Sequence, residues 1–458
     1  MRSQVLSHSP RLHAFVHLFV GCRQRASAII GRRRLSSSLV VGLLTGIPLS
    51  VGAQDYAAEI RRLAERRDVQ AAFGVIDRLE PQSHADLITL TQIPAPPFKE
   101  EQRARKYLEM LRAAGADSIW MDAEGNVIAR RRGRTARWTV AIGGHLDTVF
   151  PEGTDVTVKI RGDTLFAPGI GDDTRGLVVV LTILRAMNEA KIATDADVLF
   201  IGTVGEEGLG DLRGMKALFG PGGPKIDSWI AVDGGSPERV VNRGLGSHRY
   251  RVTFRGPGGH SWGAFGLANP HHALGRAIHY FVETADPYTR VEGARTSYNV
   301  GIVSGGTSVN AIPFESAMEV DMRSESPDRL AGVDSLLQKA VARALAEVNA
   351  IRRRGPELTA DVTLLGDRPS GETPAASPIV QRAQAVVRHF GLVPQLEVGS
   401  TDSNIPIARG VPAITIGRGG VGQGAHSPGE WWINKDGALA IKSALLMVLA
   451  EAGVALTP

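Results

Sequence analysis

Between residues 56 and 114 apolar side chains recur at three- and four-residue spacings, as in the run Tyr107 to Arg112, and this period predicts helix. Beyond it the texture changes. Short β-rich runs end in loops bearing Gly, Asp and Glu and alternate with helical stretches; residues 138–142, 198–203, 229–232 and 413–416 read as strands. The segment 177–187 is apolar nearly all round, the mark of a buried helix. Strands alternating with helices in this way predict an α/β layer with a mostly parallel central sheet.

A second unit interrupts that layer. From Ser247 to Leu358 the order is strand (250–254), helix (270–284), strand (297–304), strand (317–322) and helix (327–349). Two helices against a small antiparallel sheet make an inserted α+β unit of the ferredoxin-like sort. The expected division is therefore a leader over 1–53, the α/β layer over 54–246 and 359–458, and the insertion over 247–358. Neither an internal repeat nor a long low-complexity stretch is present.

The formal charge of +5 is concentrated at one end. Seven arginines (2, 11, 23, 25, 32, 33 and 34) precede residue 54 and no acidic residue does; without them 45 of the 52 basic residues face 47 acidic ones, a net of −2. With no basic stripe interleaved with aromatics either, nucleic-acid binding is excluded as a reading. Arg32, Arg33 and Arg34, the short apolar run 39–47 and the small residues Val51, Gly52 and Ala53 have the parts of an export signal for a periplasmic or secreted protein. The arginine pair also permits the twin-arginine route, and an uncleaved tether or a later start codon are the other readings. No stable membrane span is expected after processing. The only cysteine, Cys22, falls in this leader, so thiolate ligands, disulfides and a cysteine nucleophile are absent from residue 54 onward. A metal there must be held by His, Asp and Glu.

Residues of that kind follow the predicted strands one after another. Gly144-His145-Leu146-Asp147-Thr148 puts His and Asp two apart, on one side of a chain leaving a strand; taken alone it also describes a turn with a satisfied histidine. Asp172 and Asp173 precede the buried helix, where either suits a helix cap or a carboxylate bridging two cations. Glu206 and Glu207 repel one another unless a cation or shared proton sits between them, or unless their loop is solvated. Asp233 lies in Ala231-Val232-Asp233-Gly234-Gly235, and His426 in Gly424-Ala425-His426-Ser427.

In this order the set resembles the M20 family of metallopeptidases and deacylases, over the chain from about residue 85 to the end. The resemblance implies two Zn²⁺ per subunit, with Co²⁺ or Mn²⁺ as substitutes. His145 and Asp233 would ligate one, Glu207 and His426 the other, and Asp172 would bridge them; the ungapped match of residues 170–176 favours Asp172 over Asp173. Asp147 would orient the ligands and Glu206 would be the general base. It further implies that His260, in Gly258-Gly259-His260-Ser261-Trp262, reaches the active site of a partner subunit to stabilise the oxyanion, and hence a homodimer. Asn310 and Arg323 match substrate-contacting positions, although Arg323 is equally suited to a surface ion pair. The loop Gly399 to Asp402 matches a segment near the site. Asp233 followed by two glycines is similar to the aminopeptidase and dipeptidase members, which points to short peptides with a free amino end; N-acyl amino acids, by deacylase or carboxypeptidase action, are the alternative. A metal-dependent binding protein without turnover is the reading from another class. Gly399-Ser400-Thr401 lacks a serine-hydrolase elbow and the glycines at 256, 258 and 259 lack a phosphate-loop ending.

Overall fold

In the computed structural model residues 55–454 are described; the expected leader falls outside them. The helical opening is four helices, Tyr56–Ala64, Arg67–Arg78, Glu80–Thr91 and Glu101–Ala113. They pack with Gly176–Glu189 and Gly437–Ala452 on a nine-stranded sheet. Its spatial order is Ser118–Met121, Val127–Arg131, Asp197–Thr203, Thr139–His145, Ser228–Val232, Ala413–Ile416, Arg239–Gly244 and Gly371–Glu372, with Gln395–Gly399 also on Arg239–Gly244. The four strands from Asp197–Thr203 to Ala413–Ile416 run parallel at the centre, and antiparallel pairs extend the sheet on either side. Both faces of the centre are covered, so its strands read as continuous apolar runs: Val140, Ala141 and Ile142 are fully buried. A second apolar cluster around Trp229, Leu212 and Met215 covers the opposite face. The result is the α/β layer expected, although its sheet is mixed rather than mostly parallel: four pairings are parallel and four antiparallel.

The second sheet is antiparallel, in the order Thr296–Gly305, Glu315–Ser324, Gly246–Arg255, Thr359–Arg368. Alternation decides its two faces. Val252, Phe254, Met318, Val320 and Met322 point at helices Pro270–Thr289 and Pro327–Ala350 and form a separate core. Each helix starts with proline after a capping side chain: Asn269 accepts the N–H of His271 and Ser326 that of Arg329. The fourth strand, Thr359–Arg368, lies beyond Leu358, where the sequence reading ends this unit. Residues 359–364 alternate polar and apolar side chains, Ala360 and Val362 pack against the small core, and pairing with Gly246–Arg255 assigns the strand to the small sheet. Among the described residues no helix is long and apolar enough to cross a membrane.

Candidate functional site

Parallel strands in the central sheet end at one edge, and their loops meet there. His145 is the last residue of Thr139–His145; Glu206 and Glu207 follow Asp197–Thr203, and Asp233 follows Ser228–Val232. Asp172 comes from the turn Ile170–Arg175 that enters the buried helix, and His426 from the loop after Val421–Gln423. Residues spread over more than 280 positions thus share one cleft of about 530 Å³, lined by Asp172, Glu206, Glu207, Asp233, His426 and Arg323 among others.

The contacts within this group are specific. His145 Nδ1 donates to the backbone oxygen of Asp147 at 3.0 Å, since a carbonyl can only accept; this leaves Nε2 facing Asp172 Oδ1 at 3.2 Å. The other oxygen of Asp172 lies 3.2 Å from His426 Nε2, which also meets Glu207 Oε1 at 2.9 Å. Asp172 therefore stands between the two imidazoles. Asp173 is used differently: its buried carboxylate accepts the backbone N–H groups of His145 (3.2 Å) and Gly176 (3.1 Å). Asp147 is buried as well, and accepts the N–H groups of Glu206 at 3.0 Å and Glu207 at 2.8 Å, fixing the turn that presents both glutamates.

Three overlapping donor groups result: His145, Glu206 and Glu207 form one, and the other two share Asp172. His145, Asp172 and Asp233 bring ligand atoms within 4.8 Å of one another, and so do Asp172, Glu207 and His426. The chemistry of these donors fits divalent cations of the zinc type: imidazole nitrogen and carboxylate oxygen, with no sulfur. Electrostatics points the same way. Burial pushes Glu206 well above the usual carboxylate range against the pull of Arg368 and His145, and burial also raises Glu207 and Asp233. Burial opposes charge on His145 too, yet the hydrogen bond to Asp172 and the field of Asp173 and Asp147 hold it well above its ordinary value. His426 is raised to about 10 by its bonds to Asp172 and Glu207. All of these shifts favour proton binding among the clustered donors, and a divalent ion bound there would compete with those protons.

Several supporting residues have no role assigned from the sequence, although the loop Gly399 to Asp402 matches a segment near the site. Glu430 accepts three backbone N–H groups of the Asp172 turn, from Gly169 (2.6 Å), Gly171 (2.8 Å) and Asp172 (3.0 Å). A Cβ at Gly171 would come within 2.3 Å of Arg418 Nη2 and 3.0 Å of Glu430 Oε1, so a side chain there would displace both groups. Arg368, only 4% exposed, donates from Nη1 to Glu206 Oε1 at 3.1 Å and to Ser400 Oγ at 3.1 Å, and from Nη2 to the Glu206 carbonyl. Asp402 is buried, receives Thr203 Oγ1 at 2.5 Å and is pushed up to about 7 by burial. Glu430 shares a short segment with His426, which was a usable clue. Arg368 lies at the end of a strand with no motif, so register alone brings it in.

Arg323 reaches the cleft, but it is also paired: Nε donates to Asp321 Oδ2 at 2.8 Å. Of the two alternatives expected for Arg323, the ion pair is formed while the side chain still lines the cleft. His260 and Asn310 are not brought to this cleft within the chain. Both are exposed at the two-stranded pairing of Gly259–His260 with Ala311–Ile312, where His260 Nδ1 accepts from the N–H groups of Trp262 and Gly263. His271 meets Ser316 Oγ at 2.7 Å, away from the cleft lining. Ser400 and Thr401 line the cleft.

Residues 141–450 match the profile of peptidase family M20/M25/M40. A putative [LysW]-lysine/[LysW]-ornithine hydrolase of Pyrococcus abyssi is 33% identical over 132 residues, which are 29% of this chain and 35% of that protein. A putative succinyl-diaminopimelate desuccinylase of Mycobacterium tuberculosis is 25% identical over 341 residues, 72% of this chain and 88% of the other. The solved aminopeptidase PepT of Bacillus cereus superposes with a TM-score of 0.65 at 19% identity, over 81% of this chain and 98% of its own; at that identity the likeness is one of fold.

Proposed function

The chain belongs to peptidase family M20/M25/M40 and is thus a hydrolase of peptide or amide bonds, and from that premise we propose a dinuclear zinc enzyme acting on short peptides or N-acyl amino acids. The observation that carries it is the pair of donor groups sharing Asp172 beside a buried, arginine-held Glu206. His145, Asp172 and Asp233 would hold one ion and Asp172, Glu207 and His426 the other. When bound, two such ions lower the pKa of a water and polarise the scissile carbonyl. Glu206 takes the proton of the attacking water and hands it to the leaving nitrogen, as a carboxylate raised by burial is suited to do. Asp147 holds the backbone N–H groups of both glutamates and the ring of His145 in register.

Between the two specificities expected, the lining of the cleft supports the carboxylate-bearing one. The aminopeptidase reading rests on Asp233, Gly234 and Gly235; outside the donor groups and Glu206, the charged lining is Arg239, Arg249, Arg323 and Arg368, which suits the carboxylate of an N-acyl amino acid or of a peptide's carboxyl end. Dimerisation belongs to the same proposal. Strand Thr296–Gly305 is an edge of the small sheet with Ile302 and Val303 exposed, and His260, outside its own cleft, would serve a partner. Sedimentation of the protein and of an Ile302→Lys variant tests it. Export rests on the leader alone, and fractionation of expressing cells decides it.

The test of the activity is hydrolysis of matched dipeptides with free or acetylated amino ends, with zinc, with chelator and with Glu206→Gln. Zinc-dependent cleavage of the acetylated set, lost in the variant, is expected. Cleavage of the free-amine set alone returns the assignment to an aminopeptidase. Absence of metal-dependent turnover on both sets refutes the hydrolytic reading and leaves a metal-dependent binding protein.

A further inference from the structure

The small sheet buries one face against its helices, and the other face turns charged side chains into the cleft. Register makes the pattern explicit. Arg368, Ser247 and Arg323 stand opposite one another on three neighbouring strands, and Gly366, Arg249 and Asp321 stand opposite one another two residues along. Positions two apart share a face, so Arg249, Arg323 and Arg368 project together, and all three line the cleft.

Their charges are not balanced locally. Arg249 Nε donates to Asp321 Oδ1 at 3.0 Å and Arg323 Nε to Asp321 Oδ2 at 2.8 Å, so one carboxylate serves two guanidinium groups. Arg249 Nη1 donates to the Gly208 carbonyl at 2.8 Å. The terminal nitrogens of Arg323 make no hydrogen bond among the described residues. Both arginines spend Nε on Asp321, which fixes their planes and leaves terminal N–H groups for an anion. Across the strand from Arg249 stands Gly366, and the Asp211 carboxylate lies against the space its side chain would fill, accepting the Asp367 N–H and paired with Lys216. The only carboxylates in the lining are Asp172, Glu206, Glu207 and Asp233, all of them in the donor groups or the proposed base. No further acid lines the cleft to receive an ammonium group.

We propose that the cleft selects amides carrying two anionic groups, one held by Arg323 and the second by Arg249, and that it discriminates against a free amino terminus. Arg249 is the specificity-determining residue. This rests on the amide-hydrolase reading above and names its substrate class. Each carboxylate gains charge-assisted hydrogen bonds from a guanidinium whose orientation is already set, whereas an ammonium placed there meets like charge.

The experiment compares N-acetyl-L-glutamate with its neutral isostere N-acetyl-L-glutamine, N-succinyl-L-alanine with N-acetyl-L-alanine, and the free-amine dipeptide L-alanyl-L-glutamate, all with the zinc-loaded protein. A dianionic member is expected to exceed its monoanionic counterpart by about tenfold or more in kcat/KM, mainly through KM. Arg249→Gln should reduce that preference to within about twofold, and Arg249→Lys should keep part of it. Equal turnover within each matched pair, or faster cleavage of L-alanyl-L-glutamate than of N-acetyl-L-glutamate, overturns the proposal. If no amide is hydrolysed, the hydrolase reading fails, and calorimetry with glutarate and its monoamide decides the anion clamp separately. Tighter binding of glutarate that Arg249→Gln abolishes upholds the clamp; equal binding of the two overturns it.

Discussion

His248 ties three elements of the small domain-like unit together, and its loss has a calculable pH signature. It lies on Gly246–Arg255, on the face opposite Arg249. Nδ1 donates to Asp334 Oδ2 on helix Pro327–Ala350 at 2.7 Å, and Nε2 lies 3.5 Å from Asp367 Oδ1, next to Arg368. The Tyr250 hydroxyl donates to the same Asp334 oxygen at 2.8 Å. These carboxylates raise His248 from 6.5 to about 9, Asp334 first and Asp367 second, and the bond to His248 pulls Asp367 down in return. A histidine raised in the folded state stabilises it fully below its unfolded pKa, and that contribution disappears as pH climbs through the folded value. The window is therefore 6.5 to about 9. At about 1.4 kcal/mol per pH unit the ceiling is roughly 3.4 kcal/mol, and solvent screening at a half-buried ring reduces it to about 1–2 kcal/mol. Urea unfolding of the native protein and His248→Gln, at pH 6 and pH 10, measures it. The native protein should lead by about 1–2 kcal/mol at pH 6 and by roughly nothing at pH 10. A lead that is the same at both pH values would refute the ion-pair account and make His248 a packing residue.

Three further outcomes are expected. Arg368→Met, in the zinc-loaded protein, breaks a buried ion pair and should destabilise by about 3 kcal/mol in urea, with loss of turnover; a change under about 1 kcal/mol would show that Glu206 does not depend on it. Glu430→Gln weakens the three acceptor bonds that hold the Asp172 turn, and zinc affinity measured by competition with a chromophoric chelator should fall about 10–100-fold, unaltered affinity counting against that role. Asp172→Ala removes the residue shared by two of the donor groups, so elemental analysis after desalting should find less than one zinc per chain against about two in the native protein; retention of two would rule out Asp172 as the bridge.

The helices and central strands could be read from pattern because burial on both faces leaves a continuous apolar signature, as in Val140 to Ile142 and in the helix Gly176–Glu189. The strand Thr359–Arg368 gives a weaker signal: residues 359–364 alternate, but Ala360 and Val362 are only half-buried on an edge strand, and the sequence reading stops at Leu358. The same contrast holds at the site. His145 ends a strand, Glu206, Glu207, Asp233 and His426 follow strands, and Asp172 enters a helix, each near glycines, and their residue types advertise metal chemistry. Arg249 and Arg368 are ordinary arginines in the chain, and only cross-strand register turns them into the cleft.

What the chain determines by itself, then, is which chemistry is available: a sulfur-free set of nitrogen and oxygen donors, placed where parallel strands must end together. Tertiary structure alone decides how that chemistry is aimed. Whether Asp172 or Asp173 stands between the two imidazoles depends on which carboxylate the backbone N–H groups of His145 and Gly176 claim. Which guanidinium holds Glu206 and which are left for a substrate depends on pairings between strands more than 40 residues apart. A local pattern carries residue type and period; it carries no information on the distance between side chains whose neighbours are set by packing.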